Sequence, residues 1–160
     1  MHWMPLIALA PLLVGAAPPV LTGSAFYLER VADGGIVREE TTAIPYQPDQ
    51  ACFTWVVRFA PGTGVRPFQE RMTLPAAPVR WGGVDGEPES ATALSRDRRI
   101  STTELMVAMP TGEAGHGWCV AEGDPEGAYR IEVLVDGRVL KRFDFTVGDA
   151  PASEDKGTSL

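Results

Sequence analysis

The chain has 160 residues and a formal net charge of −7, so it is long enough for one domain with a hydrophobic core. This acidic balance argues against a nucleic-acid-binding protein, because the phosphates of a nucleic acid repel an acidic surface. The sequence contains no Asn, which excludes N-linked glycosylation.

The N-terminal segment has the pattern of a secretory signal peptide. The first 25 residues contain no Asp, Glu, Lys or Arg, and residues 4–21 are almost wholly apolar. Gly23, Ser24 and Ala25 then supply the small residues that a signal peptidase recognises. We therefore expect a signal peptide at 1–25 and a periplasmic or secreted protein without a membrane span. A retained N-terminal membrane anchor is the alternative.

After this segment, short stretches with alternating apolar residues are separated by Gly- and Pro-rich turns, which is typical of β-strands. The predicted strands lie at 26–31, 36–44, 52–60, 67–74, 100–109 and 118–120. The strand at 52–60 has the most apolar face of the chain, which is formed by Phe53, Trp55, Val57 and Phe59. We expect this face to pack on the apolar residues of the last two strands, Tyr129, Ile131, Phe143 and Phe145.

The last regular stretch, 129–147, reads as two alternating strands joined at Asp136 and Gly137, a strong hairpin signal. A two-residue loop would place the apolar residues of the two arms on opposite faces. The pattern therefore predicts a three-residue loop with a bulge, and a positive φ at Gly137. Lys141 falls on the inner face, which suggests a strand at the edge of its sheet.

The least regular stretch is 75–99, which is rich in Pro and Gly. Long loops of this kind are often functional. The same stretch is also consistent with a poorly ordered insertion, or with a short helix at 89–94. A second Gly-rich segment, 111–117, is predicted to be a turn.

These elements predict an all-β protein, an antiparallel immunoglobulin-like β-sandwich of about six to eight strands. It would span residues 26–149, after the signal peptide and before a disordered C-terminal tail at 150–160. Cys52 and Cys119 are expected to form a disulfide that ties a central strand to the C-terminal sheet, worth about 4 kcal/mol in the chain-entropy model. Two free thiols or a metal pair are the alternatives.

Three groups of motifs resemble a bacterial family of domains of unknown function, the one numbered 3859. They are GIV at 35–37 with TAIP at 42–45, the strand 53–59 with LP at 74–75, and EGAY at 126–129 with DGR at 136–138 and FDFTV at 143–147. The resemblance covers most of the chain after the N-terminal segment. It implies an exported or envelope β domain, and it carries no catalytic residues.

The sequence offers few groups for catalysis. Behind the predicted signal peptide His116 is the only histidine, and there is no Gly-x-Ser-x-Gly nucleophile motif. We interpret His116 as a solvent-exposed turn residue, and we expect that the protein is not an enzyme. A hydrolase that uses scattered carboxylates is the least favoured hypothesis.

Two sets of residues are candidates for binding. Trp81 in the 75–99 loop and the basic cluster Arg96, Arg98 and Arg99 could contact a partner or a ligand. Trp81 could equally cap one end of the sandwich, and Trp118 is expected to pack against the disulfide.

The second set consists of soft or borderline metal ligands that are close in sequence, namely Met106, Met109 and His116. Core packing for one methionine and a surface position for the other is the simpler interpretation. No cofactor is expected. The sequence thus predicts a non-enzymatic module that binds a protein of the cell envelope, or alternatively a small-ligand module for carbohydrate or metal.

Overall fold

The computed structural model describes residues 17–32, 34–81 and 92–149. Within these ranges the chain forms strands and one turn of 3-10 helix at Met109–Thr111. The strands are β1 Leu21–Ala32, β2 Gly35–Glu40, β3 Ala43–Pro45, β4 Cys52–Phe59, β5 Val65–Thr73, β6 Thr92–Leu94, β7 Ile100–Ala108, β8 Glu113–Cys119, β9 Gly127–Val135 and β10 Arg138–Gly148. In the described part of the chain no helix has the length and apolar character that crossing a membrane requires.

The strands form two sheets that pack face to face. One sheet has four strands in the order β2-β1-β4-β8, and the other has six in the order β3-β10-β9-β5-β7-β6. Neighbouring strands are antiparallel except β3, which runs parallel to β10. This arrangement confirms the predicted immunoglobulin-like β-sandwich, with more strands than the sequence pattern indicated.

Aromatic side chains fill the space between the sheets. The expected inner face of β4 is buried and contacts the last hairpin, with ring centroids of Phe53 and Phe145 4.8 Å apart. Phe26 of β1 joins the same layer, at 4.7 Å from Phe145. Burial of a ring of this size contributes roughly 1.5–3 kcal/mol, so this layer supplies much of the folding free energy.

The hairpin β9–β10 differs from the predicted one in the position of its extra residue. Val135 pairs with Arg138, so the loop contains only Asp136 and Gly137. Both loop residues have positive φ, 50° and 72°, as a type I′ turn requires. The register then shifts at Leu140, inside β10, and this bulge brings the apolar residues of the two arms to one face. The positive φ of Gly137 is confirmed, whereas the three-residue loop is wrong.

The disulfide joins Cys52 and Cys119, as predicted. These residues lie directly opposite each other on β4 and β8, which are neighbours in the four-stranded sheet. The prediction that the bridge ties β4 to the C-terminal sheet is therefore wrong. Cys119 lies at the end of its strand, β8.

Three further expectations from the sequence differ from the structure. The predicted strand 36–44 is divided into β2 in one sheet and β3 in the other. The predicted turn 111–117 is mostly strand β8, in which Gly115 and Gly117 lie close to β4. A Cβ on Gly117 would lie 2.5 Å from the hydroxyl oxygen of Thr54, so this extended position requires glycine. The alternative of a short helix at 89–94 is contradicted at Thr92–Leu94, which is β6.

The sandwich begins before the predicted boundary at Phe26. Residues 21–25 belong to β1 and pair with β4. Ahead of them, the carbonyl of Val20 accepts a hydrogen bond from the N–H of Ala60, and that of Ala17 accepts one from Arg66 at 2.7 Å. Cleavage after Ala25 would remove these contacts. The rest of the predicted leader and the predicted tail lie outside the described residues.

One feature of immunoglobulin-like domains comes from Tyr129 at the start of β9. Its hydroxyl donates a hydrogen bond of 2.7 Å to the carbonyl of Pro125, four positions upstream, as in a tyrosine corner. Burial raises the pKa of the Tyr129 phenol, so the hydroxyl remains a donor over the physiological pH range. This contact fixes the entry of the chain into the final hairpin.

Candidate functional site

The most unusual group in the core is the carboxyl group of Glu70. On β5 the inward positions alternate as Phe68, Glu70 and Met72, so the pleat points the carboxyl group between the sheets. Glu70 has no exposed surface. A carboxyl group in such a place is stable only if hydrogen-bond donors surround it.

The donors come from the opposite sheet. Trp118 Nε1 donates a hydrogen bond of 2.7 Å to one carboxyl oxygen of Glu70. The other oxygen accepts the indole N–H of Trp55 and lies 3.1 Å from His116 Nδ1. Trp55 and His116 face each other on β4 and β8, which explains why both reach the same oxygen. The carboxyl group thus links the two sheets through three side chains.

This arrangement is suited to structure more than to chemistry. Glu70 is enclosed on all sides and its oxygens are engaged by the two indoles and by His116. A general base needs a free lone pair within reach of a substrate proton. We therefore interpret the Glu70 network (Glu70, Trp55, His116 and Trp118) as a polar crosslink of the core. Sequence reasoning missed it, although the alternation with Phe68 and Met72 already places Glu70 on the inner face.

Trp81, the predicted contact residue, is 4 % exposed and does not present a binding surface. Its indole N–H donates to the carbonyl of Arg98 at 3.0 Å, and its ring packs edge-on against Trp118. The capping interpretation therefore describes Trp81 better than the contact interpretation. Trp118 itself points to Glu70, to which its indole N–H donates a hydrogen bond.

The basic cluster lies on the turn between β6 and β7. Arg96, Arg98 and Arg99 are exposed, and Arg98 has a positive φ of 57°. The guanidinium of Arg99 donates to the carbonyl of Leu74 at 3.2 Å, so this side chain ties the turn to the end of β5. The rest of the predicted contact loop, 82–91, lies outside the described residues.

The structure does not bring the candidate metal ligands together. His116 lies on β8 opposite Trp55 of β4, and its side chain faces Glu70, so its interpretation as a solvent-exposed turn residue is wrong. Met109 is buried beside Gly62, beyond the end of β4, while Met106 is 70 % exposed on β7. In the described part of the chain no group of three or more His, Cys, Asp or Glu side chains could hold a metal ion.

A large concave surface lies at the opposite side of the sandwich, between β1 and β10. Strand β2 pairs with β1 only from Tyr27 onward, and β3 pairs with β10 only from Thr146 onward. Residues 21–26 and 138–145 thus form two strand edges without a strand partner in the described chain. We call the space between them the open-edge groove.

The open-edge groove has a volume of about 790 Å³, within the range of ligand-binding clefts. Its base is formed where the rings of Phe26 and Phe143 meet, with centroids 5.9 Å apart. Small and polar side chains form the walls, and Lys141 lies over the Phe143 ring at 5.5 Å. The other lining residues are Ser24, Ala25, Glu40, Thr41, Thr42, Arg142 and Asp144.

The charges along β10 are not equivalent. Arg142 donates to Glu132 at 2.8 Å, and Arg71 contacts the same carboxylate from the other side. Asp144 pairs with Arg130 at 2.6 Å. Lys141 has no Asp or Glu within salt-bridge distance in the described chain. Its ammonium group is the cation that the open-edge groove offers to a ligand.

The pKa of the Glu132 carboxyl is lowered below its usual value because the side chains of Arg142 and Arg71 donate hydrogen bonds to it. The side chain of Glu132 is only 10 % exposed, so solvent screens these interactions less than those of the outer pairs. The result is a cross-strand ladder on the outer face of β5, β9 and β10, which keeps Arg142 directed away from the groove.

The two packed sheets define an immunoglobulin-like β-sandwich domain. A family model described as the PM0630 beta sandwich domain matches residues 24–148, and the chain belongs to this family. Among solved structures, the chain is similar to the crystal structure of an immunoglobulin-like protein from Pseudomonas aeruginosa. That chain is 17% identical, with a TM-score of 0.55, and the match covers 83% of this chain and 99% of the other. No curated protein matches.

Replacement of Glu70 should destabilise the protein strongly. Glu70→Leu leaves the indole N–H groups of Trp55 and Trp118 buried without acceptors, and we expect a loss of about 3 to 5 kcal/mol in the free energy of unfolding. Glu70→Gln keeps one acceptor and should lose less. Urea denaturation measures both, with Gln69→Leu on the outer face as a control that changes stability by less than about 1 kcal/mol. A Glu70→Leu protein as stable as the control would contradict the crosslink.

The Glu132 ladder should give an acid-dependent contribution to stability. The pKa of the Glu132 carboxyl group is lower in the folded protein than in the unfolded chain. The ladder therefore stabilises the protein at pH values above the unfolded-state pKa, and this contribution is lost as pH falls through the folded-state pKa. Glu132→Gln should therefore lower the free energy of unfolding more at roughly pH 7 than at roughly pH 3. Asp144→Asn, which removes an exposed pair, is the control and should cost little at either pH. An equal loss at both pH values for Glu132→Gln would rule out the ladder as the cause.

Proposed function

We propose that the protein is an exported, non-enzymatic β-sandwich module that binds another protein of the cell envelope at the open-edge groove. The observation that supports this proposal is the pair of strand edges on β1 and β10, which face one concave surface. Natural sandwiches usually cover or protect such edges, so an open pair is a candidate for an interface. The groove replaces the 75–99 loop as the proposed contact.

The disulfide supports the export part of the proposal, because disulfides form and persist mainly in oxidising compartments such as the periplasm. The apolar N-terminal segment is consistent with a signal that directs the chain there. The finer resemblance to the family numbered 3859 is part of the same proposal, since that family implies an exported or envelope domain.

Processing of the leader is expected after Ala16 and not after Ala25. Ala16 provides a small residue directly before the cut, and Val14 is a short aliphatic residue at the other position that a signal peptidase reads. This cut leaves the contacts of Ala17 and all of β1 intact. N-terminal sequencing of the protein purified from the periplasm should therefore begin at Ala17. A first residue at Phe26 would contradict this site, and an unprocessed N-terminus would favour the membrane-anchored alternative.

The groove should be the surface that meets the partner. A photo-crosslinking residue placed at Thr42 or at Ser24, on the walls of the groove, should give one recurrent crosslinked protein in cells, identified by mass spectrometry. The matched control is the same probe at Arg96, on the turn at the far edge of the six-stranded sheet. A bulky Ser24→Trp substitution should abolish the crosslink from Thr42 without affecting the fold. Crosslinks that form from Arg96 and not from the groove would instead support the 75–99 loop.

A further inference from the structure

We infer that the occupant of the open-edge groove is an extended peptide segment of the partner, which pairs with the free edge of β10 and sets an acidic side chain against Lys141. This inference rests on the proposed function and names the chemistry of the partner segment. The inference is based on three features of β10: its backbone edge, its pairing with β3, and the position of Lys141.

The backbone of β10 has hydrogen-bonding groups to offer. Every second residue of a strand directs its N–H and C=O groups to each neighbouring strand. On one side β10 pairs with β9 along its whole length, from Arg138 to Val147. On the other side, the described chain provides a strand partner only from Thr146 to Gly148. In the part of the chain that the structure describes, no other strand pairs with this edge between these positions, which leaves it for an added strand.

The chain itself shows that this edge accepts a strand. Strand β3 occupies the edge at its C-terminal end, where the N–H of Thr146 donates to the carbonyl of Thr42 at 2.9 Å. At the other end of β3, the N–H of Tyr46 donates to the carbonyl of Gly148 at 3.0 Å. The residues before Ala43 connect β3 to β2 in the four-stranded sheet. In the described chain, therefore, no strand extends β3 along the preceding part of β10. A peptide in the groove would continue that line.

The charge of Lys141 determines which peptides can bind at this edge. An inward-pointing lysine and a bulge are devices that protect an edge strand from indiscriminate pairing, and β10 has both, at Lys141 and Leu140. An incoming strand would cover the ammonium group, which is costly unless an opposite charge accompanies it. A carboxylate on the peptide supplies that charge, whereas a neutral or basic residue does not. Lys141, which hinders unselective pairing, would thus also select peptides that carry an acidic residue.

A second copy of the chain fits this edge less well. A symmetric pair of β10 strands would be isologous, so both copies would bring the ammonium group of Lys141 to one seam. Like charges at such a seam oppose association. The charge pattern therefore favours a different chain with acidic character over self-association.

The test uses three blocked synthetic peptides of roughly eight residues, a common strand length. They alternate Thr and Val and differ only in the central residue, which is Glu, Gln or Lys. The processed full-length protein is titrated with each peptide, and NMR reports both affinity and the hydrogen exchange of individual amides. We expect the Glu peptide to bind about tenfold more tightly than the Lys peptide and to slow exchange of alternate amides between Val139 and Phe145.

Variants locate the preference. Lys141→Ala should remove the difference between the Glu and Gln peptides, and Lys141→Glu should reverse the order of the Glu and Lys peptides. Arg138→Ala, an exposed cation at the start of the same strand, is the matched control and should leave the order unchanged. Three results would each overturn the inference. They are peptide binding without slowed amide exchange in β10, no binding of any peptide, and an order of peptide affinities that the Lys141 variants do not change.

The outcomes separate this inference from the proposed function. If the groove crosslinks a partner in cells but β10 gains no protected amides with any peptide, the partner binds the groove by another element. The inference is then wrong and the proposed function stands. If neither Thr42 nor Ser24 crosslinks a partner, the proposed function fails as well.

Discussion

The aromatic layer between the sheets is the interaction on which the other features depend. Phe26, Phe53 and Phe145 come from three strands in two sheets, and their centroids lie within 6.0 Å of one another. Because successive residues of a strand face opposite sides, a slip of one residue would replace these rings in the core by neighbours such as Ala25, Thr54 and Asp144. The bulge at Leu140 is therefore needed: it restores the phase of β10 after the tight turn and lets Phe143 and Phe145 face inward.

Within this apolar layer, Glu70 imposes a second and more specific constraint. Hydrophobic packing tolerates some variation in side-chain position, but a buried carboxyl group must meet its donors at hydrogen-bond distance. Trp55 and Trp118 come from neighbouring strands and reach the two oxygens of one carboxyl group, so the register of β8 on β4 is coupled to β5 in the other sheet. We hypothesise that Glu70 fixes the position of β8, an edge strand with two glycines, more than it adds to net stability. The denaturation series at Glu70 measures the cost of its loss.

The sequence was sufficient for features that depend on alternation and on local turn chemistry. The strands β4, β9 and β10, their inner faces and the positive φ of Gly137 follow from period-two patterns and the Asp-Gly dipeptide. The location of the bulge was not accessible, because a register shift at the loop or a few residues later gives the same facing residues. Strand β8 was hidden for a different reason: its glycines resemble turn residues and are explained only by the proximity of β4.

The candidate site was still less accessible to sequence reasoning, because it depends on where strands end relative to their neighbours. No local pattern states that β2 pairs with β1 only from Tyr27 onward or that β3 pairs with β10 only from Thr146 onward, yet these two limits create the open-edge groove. Trp81 is a second example. Its place in a Gly-rich loop suggests an exposed side chain, but Trp118 and the turn at Arg98 cover it.

The position of Lys141 connects the fold to the proposed interaction. The bulge that brings Phe143 to the core also turns the lysine before it toward the groove, while the next cation, Arg142, is held on the outer face by Glu132. This register shift thus gives the two cations different roles: Arg142 stabilises the fold, and Lys141 is available to a ligand. Because the groove would lose an open edge if β2 or β3 were longer, the short pairing of these strands is the property that any functional account of this domain has to explain.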